Sequence, residues 1–225
     1  MMQADLWQSL GLTFQLATIT TLLLLVCGLP LAHFLNSLPN RLGAILETFV
    51  GLPIVLPPTV LGFYLLVIFA PQNFFGSVWQ RLFGQQLAFS FPGLVLGSML
   101  YSLPFAIQPF QSALRGIPRF LIEAAILEAN PVQVFWHVRL PLALRGIVVG
   151  ATLAFAHTVG EFGVVMMIGG SIPGITKVAS VALYNEVQKP NYAVANQYAV
   201  ILLILSFCLL LAVVLMQRHS RWFDL

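Results

Sequence analysis

Charged residues are the scarcest feature of this 225-residue sequence. It has 10 Lys and Arg and 7 Asp and Glu, so 8% of its residues are charged, whereas a soluble globular domain carries roughly 25%. At 59% hydrophobic residues and a mean hydropathy of +0.93, such a chain in water would expose large apolar patches. The composition excludes soluble, disordered and collagen-like classes and indicates an integral membrane protein.

Cysteines and catalytic motifs are also scarce. Cys27 and Cys208 both lie inside apolar runs, which predicts buried packing residues rather than a disulfide. The sequence has no GxxxxGK[ST], GxSxG or HExxH motif, and its four histidines are too far apart in sequence to suggest a metal-ligand set. Basic residues are spread along the chain, so no nucleic-acid partner is predicted. We therefore expect no catalytic residues and no metal site.

The sequence contains five long apolar runs. Each is close to the roughly 20 residues that a helix needs to cross the hydrocarbon core, which predicts an all-α integral membrane fold of five spans. A short sixth embedded piece could lie within 74–87 or 178–187. The soluble segments are too small for a core of their own, so residues 1–225 are predicted to be one membrane domain with a core at about 9–216. The five runs are about Thr13–Phe34, Thr48–Phe69, Phe91–Ala113, Leu144–Ile168 and Gln197–Met216.

Basic residues predict the orientation of the spans, because cytoplasmic loops carry an excess of Lys and Arg. With the N-terminus outside and the C-terminus in the cytoplasm, seven basic residues fall inside and three outside. The inside set is Arg41, Arg115, Arg119, Arg139, Arg145, Arg218 and Arg221, and the outside set is Arg81, Lys177 and Lys189.

Prolines are concentrated in the second and third runs, which contain Pro53, Pro57, Pro58, Pro92, Pro104 and Pro109. Proline removes a backbone donor, and in lipid the freed carbonyl needs another partner. We expect both spans to be kinked and protein-facing, either along a translocation pathway or simply as proline-containing membrane helices. Two GxxxG patterns, at Gly93–Gly97 and Gly146–Gly150, predict close helix contacts within the chain or between subunits.

The largest inside segment runs from about Leu114 to Ala143 and is unusually apolar for a connector. A helix over Phe120–Ala129 is predicted to stop at Asn130-Pro131, because the residue before proline avoids helical geometry. A second short helix is predicted over Val132–Val138. An apolar side formed by Ile122, Ala125, Ile126 and Ala129 needs a partner, which is either lipid headgroups or a cytoplasmic protein.

This segment resembles the EAA loop of ABC importer permeases. The chain supplies Glu123-Ala124-Ala125 and ends the loop in Leu140-Pro141, but it lacks the usual glycine and is one residue short. In that family the loop docks a coupling helix on an ATPase subunit. The resemblance implies a separate ATPase that binds ATP and Mg²⁺, with no cofactor on this chain. It implies these contact residues: Glu123, Ala124, Ala125, Glu128, Ala129, Asn130 and Pro131.

An acidic residue within the fourth run is the other notable feature. Glu161 is costly in lipid unless it is paired or hydrated, and His157 lies four residues earlier, on the same helix face. The two are expected to form a pair, either as part of a pathway or as a structural link. A distant alternative makes them the acid and base of an intramembrane enzyme.

The GEFG at 160–163, the IPG at 172–174 and the LPPTVLGFYLL of the second run resemble the molybdate branch of the permeases, from about Ser9 to Met216. The resemblance implies a homodimer in the bacterial inner membrane that moves an oxyanion from an extracytoplasmic binding protein by alternating access. Tungstate and sulfate permeases remain alternatives. Because oxyanions prefer neutral donors, Thr59, Ser98 and Ser102 join His157 and Glu161 as candidate pathway residues.

Overall fold

A computed structural model describes the backbone of residues 2–220 and the side chains of residues 5–218. Every regular element in this part of the chain is helical, which confirms the all-α prediction. His219 and Arg221, which the sequence analysis considered, lie outside the described side chains. The elements are α1 Met2–Ser37, α2 Asn40–Val55, α3 Pro58–Phe69, α4 Phe74–Phe83, α5 Phe91–Arg115, α6 Arg119–Glu128, α7 Pro131–Val134, a π-helical turn Phe135–Arg139, α8 Leu140–Gly160, α9 Gly163–Gly169, α10 Ala179–Gln188 and α11 Tyr192–Ser220.

Four helices in the described residues are long and apolar enough to cross a membrane, and a bent pair brings the number to five. The four are α1, α5, the continuous helix from Pro131 to Gly160, and α11. The bent pair is α2 and α3. The predicted five spans are therefore present, and the candidate sixth pieces are the ten-residue helices α4 and α10, each only about 15 Å long.

The second span is broken rather than kinked. Helices α2 and α3 meet at an angle of 110°, with Leu56 and Pro57 both in extended backbone geometry. Pro57 and Pro58 remove two successive backbone donors, and each proline disfavours helical geometry in the residue before it. The predicted kink within 48–69 is thus a complete break between two helices. In α5, by contrast, Pro104 and Pro109 lie inside a continuous helix.

The fourth span is interrupted as well. The predicted run over 144–168 ends as a helix at Gly160; Glu161 and Phe162 leave helical geometry, and α9 follows. At its other end the predicted separate helix over 132–138 is wrong, because Pro131 to Gly160 is one helical segment that passes through the π-helical turn. The apolar pattern could not distinguish a continuous helix from a broken one.

The centre of the molecule is the packing of α5 between α1 and α8. Ile107 and Phe110 of α5 are fully buried there with Leu24 of α1 and Ala154 of α8. A second cluster joins α3, α5 and α9 through Leu65, Leu94, Val164 and Ile168. The buried faces of α5 fix the relative positions of both broken spans.

Both GxxxG patterns form close helix contacts within the chain. A Cβ atom on Gly97 would lie 2.5 Å from Ile168, and one on Gly146 would lie 2.4 Å from the Ala113 side chain. Gly150 faces the Phe110 ring in the same way. These glycines allow α9 and α8 to approach α5 closely.

The lipid-facing surface is extensive. Almost none of the apolar length of α11 is buried against the rest of the chain. Cys27 and Cys208 are exposed, so the prediction that they pack inside is wrong. Their apolar neighbours face lipid equally well, and hydropathy alone does not tell a lipid-facing side from a core-facing one.

We expect Gly150→Ala to destabilise the protein by about 1–3 kcal/mol, because the new methyl group would lie 2.8 Å from the Phe110 ring. The matched control is Gly160→Ala in the same helix, where an added Cβ has no neighbour within 4 Å. Thermal unfolding in detergent measures the difference. Equal midpoints for both variants would contradict the tight α5–α8 contact.

Candidate functional site: a buried polar cluster and an exposed helix

A chain of hydrogen bonds links α5 to α8 in the middle of the bundle. The Ser102 hydroxyl lies 2.9 Å from His157 Nδ1 and 2.9 Å from the Thr158 hydroxyl, which itself donates to the carbonyl of Ala154 at 2.9 Å. Since each hydroxyl has one proton, Ser102 must donate to Thr158 and accept from His157 Nδ1–H. This assigns the His157 tautomer and leaves its Nε2 as an acceptor.

The His157 ring is also held by aromatic neighbours. It stacks on Phe105 with ring centroids 3.9 Å apart and a 22° angle, and Tyr101 is tilted against it at 4.6 Å. Hydrogen bond and stacking together fix the ring in one orientation.

The carboxyl group of Glu161 is buried without a hydrogen-bond partner among the described residues. Its side chain is 3% exposed, and both carboxyl oxygens are unsatisfied, as is the nearby hydroxyl of Ser98. Glu161 and Ser98 are neighbours, yet no hydrogen bond of normal geometry joins them. The backbone carbonyl of Glu161 accepts a hydrogen bond from Ser180 at 2.6 Å.

The expected pair between His157 and Glu161 is absent from this structure. His157 is bound to Ser102 instead, and α8 ends at Gly160. The helical relation between positions four apart therefore does not extend to Glu161.

The two interrupted spans lie side by side. A Cβ atom on Gly163, the first residue of α9, would lie 2.6 Å from Pro58 and 3.5 Å from the backbone nitrogen of Thr59. Thr59 is exposed at the start of α3, whereas Ser98 and Ser102 are fully buried. Of the predicted pathway residues, four lie along the α5–α8 contact and Thr59 borders the break beside Glu161; Ser98 and Ser102 face no open route in this conformation.

Helix α6 has no fully buried residue, and most of its side chains are exposed. The predicted contacts Glu123, Ala124 and Glu128 are exposed, whereas Ala125 and Ala129 are half-buried. Ile122, expected on the partner-facing side, packs against the α1–α5–α8 core. Leu127, which the sequence analysis missed, is 87% exposed. The most exposed apolar side chain of α6 therefore lies on the face opposite to the predicted one, although Ile126 of the predicted side is also exposed.

The turn after α6 is built by Asn130 and Pro131. The Asn130 side chain accepts from the backbone N–H of Gln133 at 2.9 Å, and the Gln133 side chain accepts from the Asn130 N–H at 3.1 Å. This capping box starts the next helix, with Pro131 at its first position. It stops α6 without the glycine usual in the EAA loop.

A polar network lies at the α6 end of the bundle and was not predicted from the sequence. Glu47 of α2 forms an ion pair with Arg115 and accepts from Gln111 Nε2 at 2.8 Å. Gln111 also donates to the Asn36 side chain at 3.2 Å, and Asn36 donates back to the Gln111 carbonyl at 3.2 Å. The network joins α1, α2 and α5; its bonded pairs lie 64 to 75 residues apart in sequence, and no local pattern marks them.

Three of the described arginines, Arg115, Arg119 and Arg139, lie together at one end of the bundle, where they line one cavity. The ends of α1 and α5 meet the start of α6 there, and Gln217 of α11 lines a second cavity with Ser112 and Arg145. At the opposite end, hydrogen bonding to Lys189 lowers the pKa of Glu186; Asn191 and the charge of Lys177 contribute to the shift.

Residues 24–223 match the model of the family described as the binding-protein-dependent transport system inner membrane component. The chain belongs to this family. It is a multi-pass inner-membrane component of a transport system and not itself an enzyme, so the alternative of a catalytic Glu161–His157 pair is wrong.

Three individual relatives show which transport permeases the chain resembles. The chain is 45% identical to the molybdenum transport system permease protein ModB of Azotobacter vinelandii, over 94% of each chain. It is 36% identical to ModB of Escherichia coli over 82% of this chain and 81% of that one. It is 33% identical to a probable sulfate transport permease, cysT, of Nephroselmis olivacea, over 95% of this chain and 75% of that one.

Solved structures agree on the fold. The inward-facing MetNI methionine ABC transporter superposes with a TM-score of 0.75 at 22% identity, over 97% of both chains. A bacterial alginate ABC transporter superposes with a TM-score of 0.73 at 16% identity, over 98% of this chain and 80% of that one. The fold is that of an ABC importer permease.

We expect Glu161→Gln to leave the stability unchanged or to raise it. A buried carboxylate without a partner is unfavourable, and the amide has nearly the same shape without the charge. The unfolding midpoint in detergent tests this, with Ser102→Ala as a comparison that should lower it by about 1–3 kcal/mol of stability through the loss of a satisfied buried network. A clear loss of stability in Glu161→Gln would indicate an ionic partner.

Proposed function

We propose that this chain is the membrane permease of an ATP-driven molybdate importer. The observation that carries the proposal is the 45% identity to a molybdenum permease over nearly the whole chain. Helix N-termini and neutral donors can bind oxyanions, and hydroxyl groups lie near both interrupted spans. Tungstate, whose tetrahedral dianion has the same shape, remains an alternative substrate.

Coupling to ATP is proposed to pass through α6. The helix exposes Leu127, Phe120 and two carboxylates at one end of the bundle, an arrangement suited to a groove on a separate ATPase. That subunit would hold ATP and Mg²⁺, and no cofactor is proposed on this chain. Closure of two ATPase subunits would rock the spans as rigid bodies, which is alternating access.

The assembly is proposed to be a homodimer with an ATPase on each copy and an oxyanion-binding protein outside. The excess of arginine at the α6 end supports a cytoplasmic location for that end. The N-terminus would then be outside and the C-terminus inside. Lipid would cover the exposed face of α11.

A second candidate substrate is sulfate, which the 33% identity to a probable sulfate permease favours. The tetrahedral anions differ mainly in size, and a difference in pocket size alone separates ligands by about 1–3 kcal/mol. Pocket size alone therefore does not distinguish strongly between molybdate and sulfate.

Uptake competition tests the substrate. Cells or vesicles that hold the complete transporter should accumulate labelled molybdate, and unlabelled tungstate should compete within about tenfold because its shape is the same. Sulfate should compete at least tenfold less well. Strong competition by sulfate with weak competition by tungstate would contradict the molybdate assignment.

Substitution on α6 tests the coupling surface. We expect Leu127→Gln to reduce co-purification of the ATPase at least tenfold, because it removes the most exposed apolar side chain of a docking surface. The matched control is Phe83→Gln, an exposed apolar residue at the opposite end. Continued docking after deletion of residues 120–135 would overturn the role of α6.

A further inference from the structure

A cavity of about 570 Å³ opens at the α6 end of the bundle. Its walls come from the end of α1, the end of α5, the first turn of α6 and the π-helical turn before α8. The polar residues that line it are His33, Asn36, Ser37, Arg115, Arg119 and Arg139.

The cavity is strongly positive. Three guanidinium groups line it, and none of its lining residues, all of which are described, is acidic. Arg139 donates to His33 Nδ1 at 3.4 Å. Arg115 pairs with Glu47, which lies outside the lining. Arg119 is exposed and has no hydrogen bond or ion pair among the described residues, so its charge is available to a ligand in the cavity.

The chemistry of the walls selects the kind of ligand. The Ser37 hydroxyl and one of the two side-chain N–H groups of Asn36 already donate to backbone carbonyls, so recognition depends mainly on the arginines. Guanidinium groups bind carboxylate and phosphate oxygens. Here they come from three different elements, and a tetrahedral group has an oxygen for each of them, whereas a carboxylate has only two oxygens.

The first turn of α6 strengthens this selection. Arg119 is the first residue of a ten-residue helix, so the positive end of the helix dipole borders the cavity.

We propose that this cavity binds a tetrahedral oxyanion group through Arg115, Arg119 and Arg139. The group is either a free inorganic oxyanion or the phosphate of an anionic lipid headgroup. Because Arg115 also holds Glu47, the bound anion competes with the ion pair between α5 and α2. The inference is independent of which oxyanion the transporter moves.

Calorimetric titration of the full-length chain in phosphatidylcholine nanodiscs tests the site. The probes are inorganic phosphate and a soluble short-chain phosphatidylglycerol. Arg119→Gln should weaken binding at least tenfold; it leaves no buried partner unpaired, so the fold should survive. Arg139→Gln should give a similar loss. Arg41→Gln, an exposed arginine at the same end that does not line the cavity, should stay within twofold of the unmodified chain.

Each outcome decides the proposal. Binding of phosphate that Arg119→Gln abolishes supports a site for a free oxyanion, and binding of the lipid alone supports a headgroup site. The proposal is overturned if neither probe binds, if Arg41→Gln loses as much affinity as Arg119→Gln, or if glutarate, a dicarboxylate, binds as tightly as phosphate.

Discussion

A lipid bilayer offers no water to backbone N–H and C=O groups, and the architecture of this protein follows from that constraint. Wherever a span stops being helical, protein must cover the exposed backbone. The two interruptions, at Leu56–Pro57 and at Glu161–Phe162, satisfy this condition jointly because they lie against each other. Gly163 packs on Pro58, and the carbonyl of Glu161 accepts from Ser180. The two interruptions therefore form a single site in the fold, although they are far apart in the sequence.

Features that depend on neighbouring residues in the sequence were predicted better than features that depend on distant ones. Helix α6 was predicted to within a residue at each end, since its start and stop depend on Pro118 and Asn130-Pro131. The break at Pro57-Pro58 was anticipated only as a kink, because proline chemistry indicates a lost hydrogen bond but not the angle. The end of α8 at Gly160 had no local proline signal at all, and its position depends on contacts with α3 and α5 that come from distant parts of the chain.

The candidate site residues were likewise predicted from local patterns, whereas their distant partners were not. Residue type and helical spacing identified Ser102, His157 and Glu161 as unusual; Ser102 and His157 are in contact, and Glu161 follows the end of α8 beside Ser98. Their partners could not be foreseen, because the bond from His157 to Ser102 joins positions 55 apart. The Glu47–Arg115–Gln111 network was missed for the same reason. Leu127 was missed because one hydrophobic stripe on a short helix was taken as the outer face, when a bundle-facing side is equally apolar.

The nearly unburied surface of α11 has a consequence for how this sequence can change over time. A residue packed in the α5–α8 contact must fit its neighbours in shape, as Gly150 fits Phe110, so few substitutions preserve it. A residue on α11 that faces lipid needs only to be apolar and compatible with a helix. We therefore expect related sequences to exchange Leu, Ile, Val and Phe freely along α11, while the glycine positions that α5 contacts stay small.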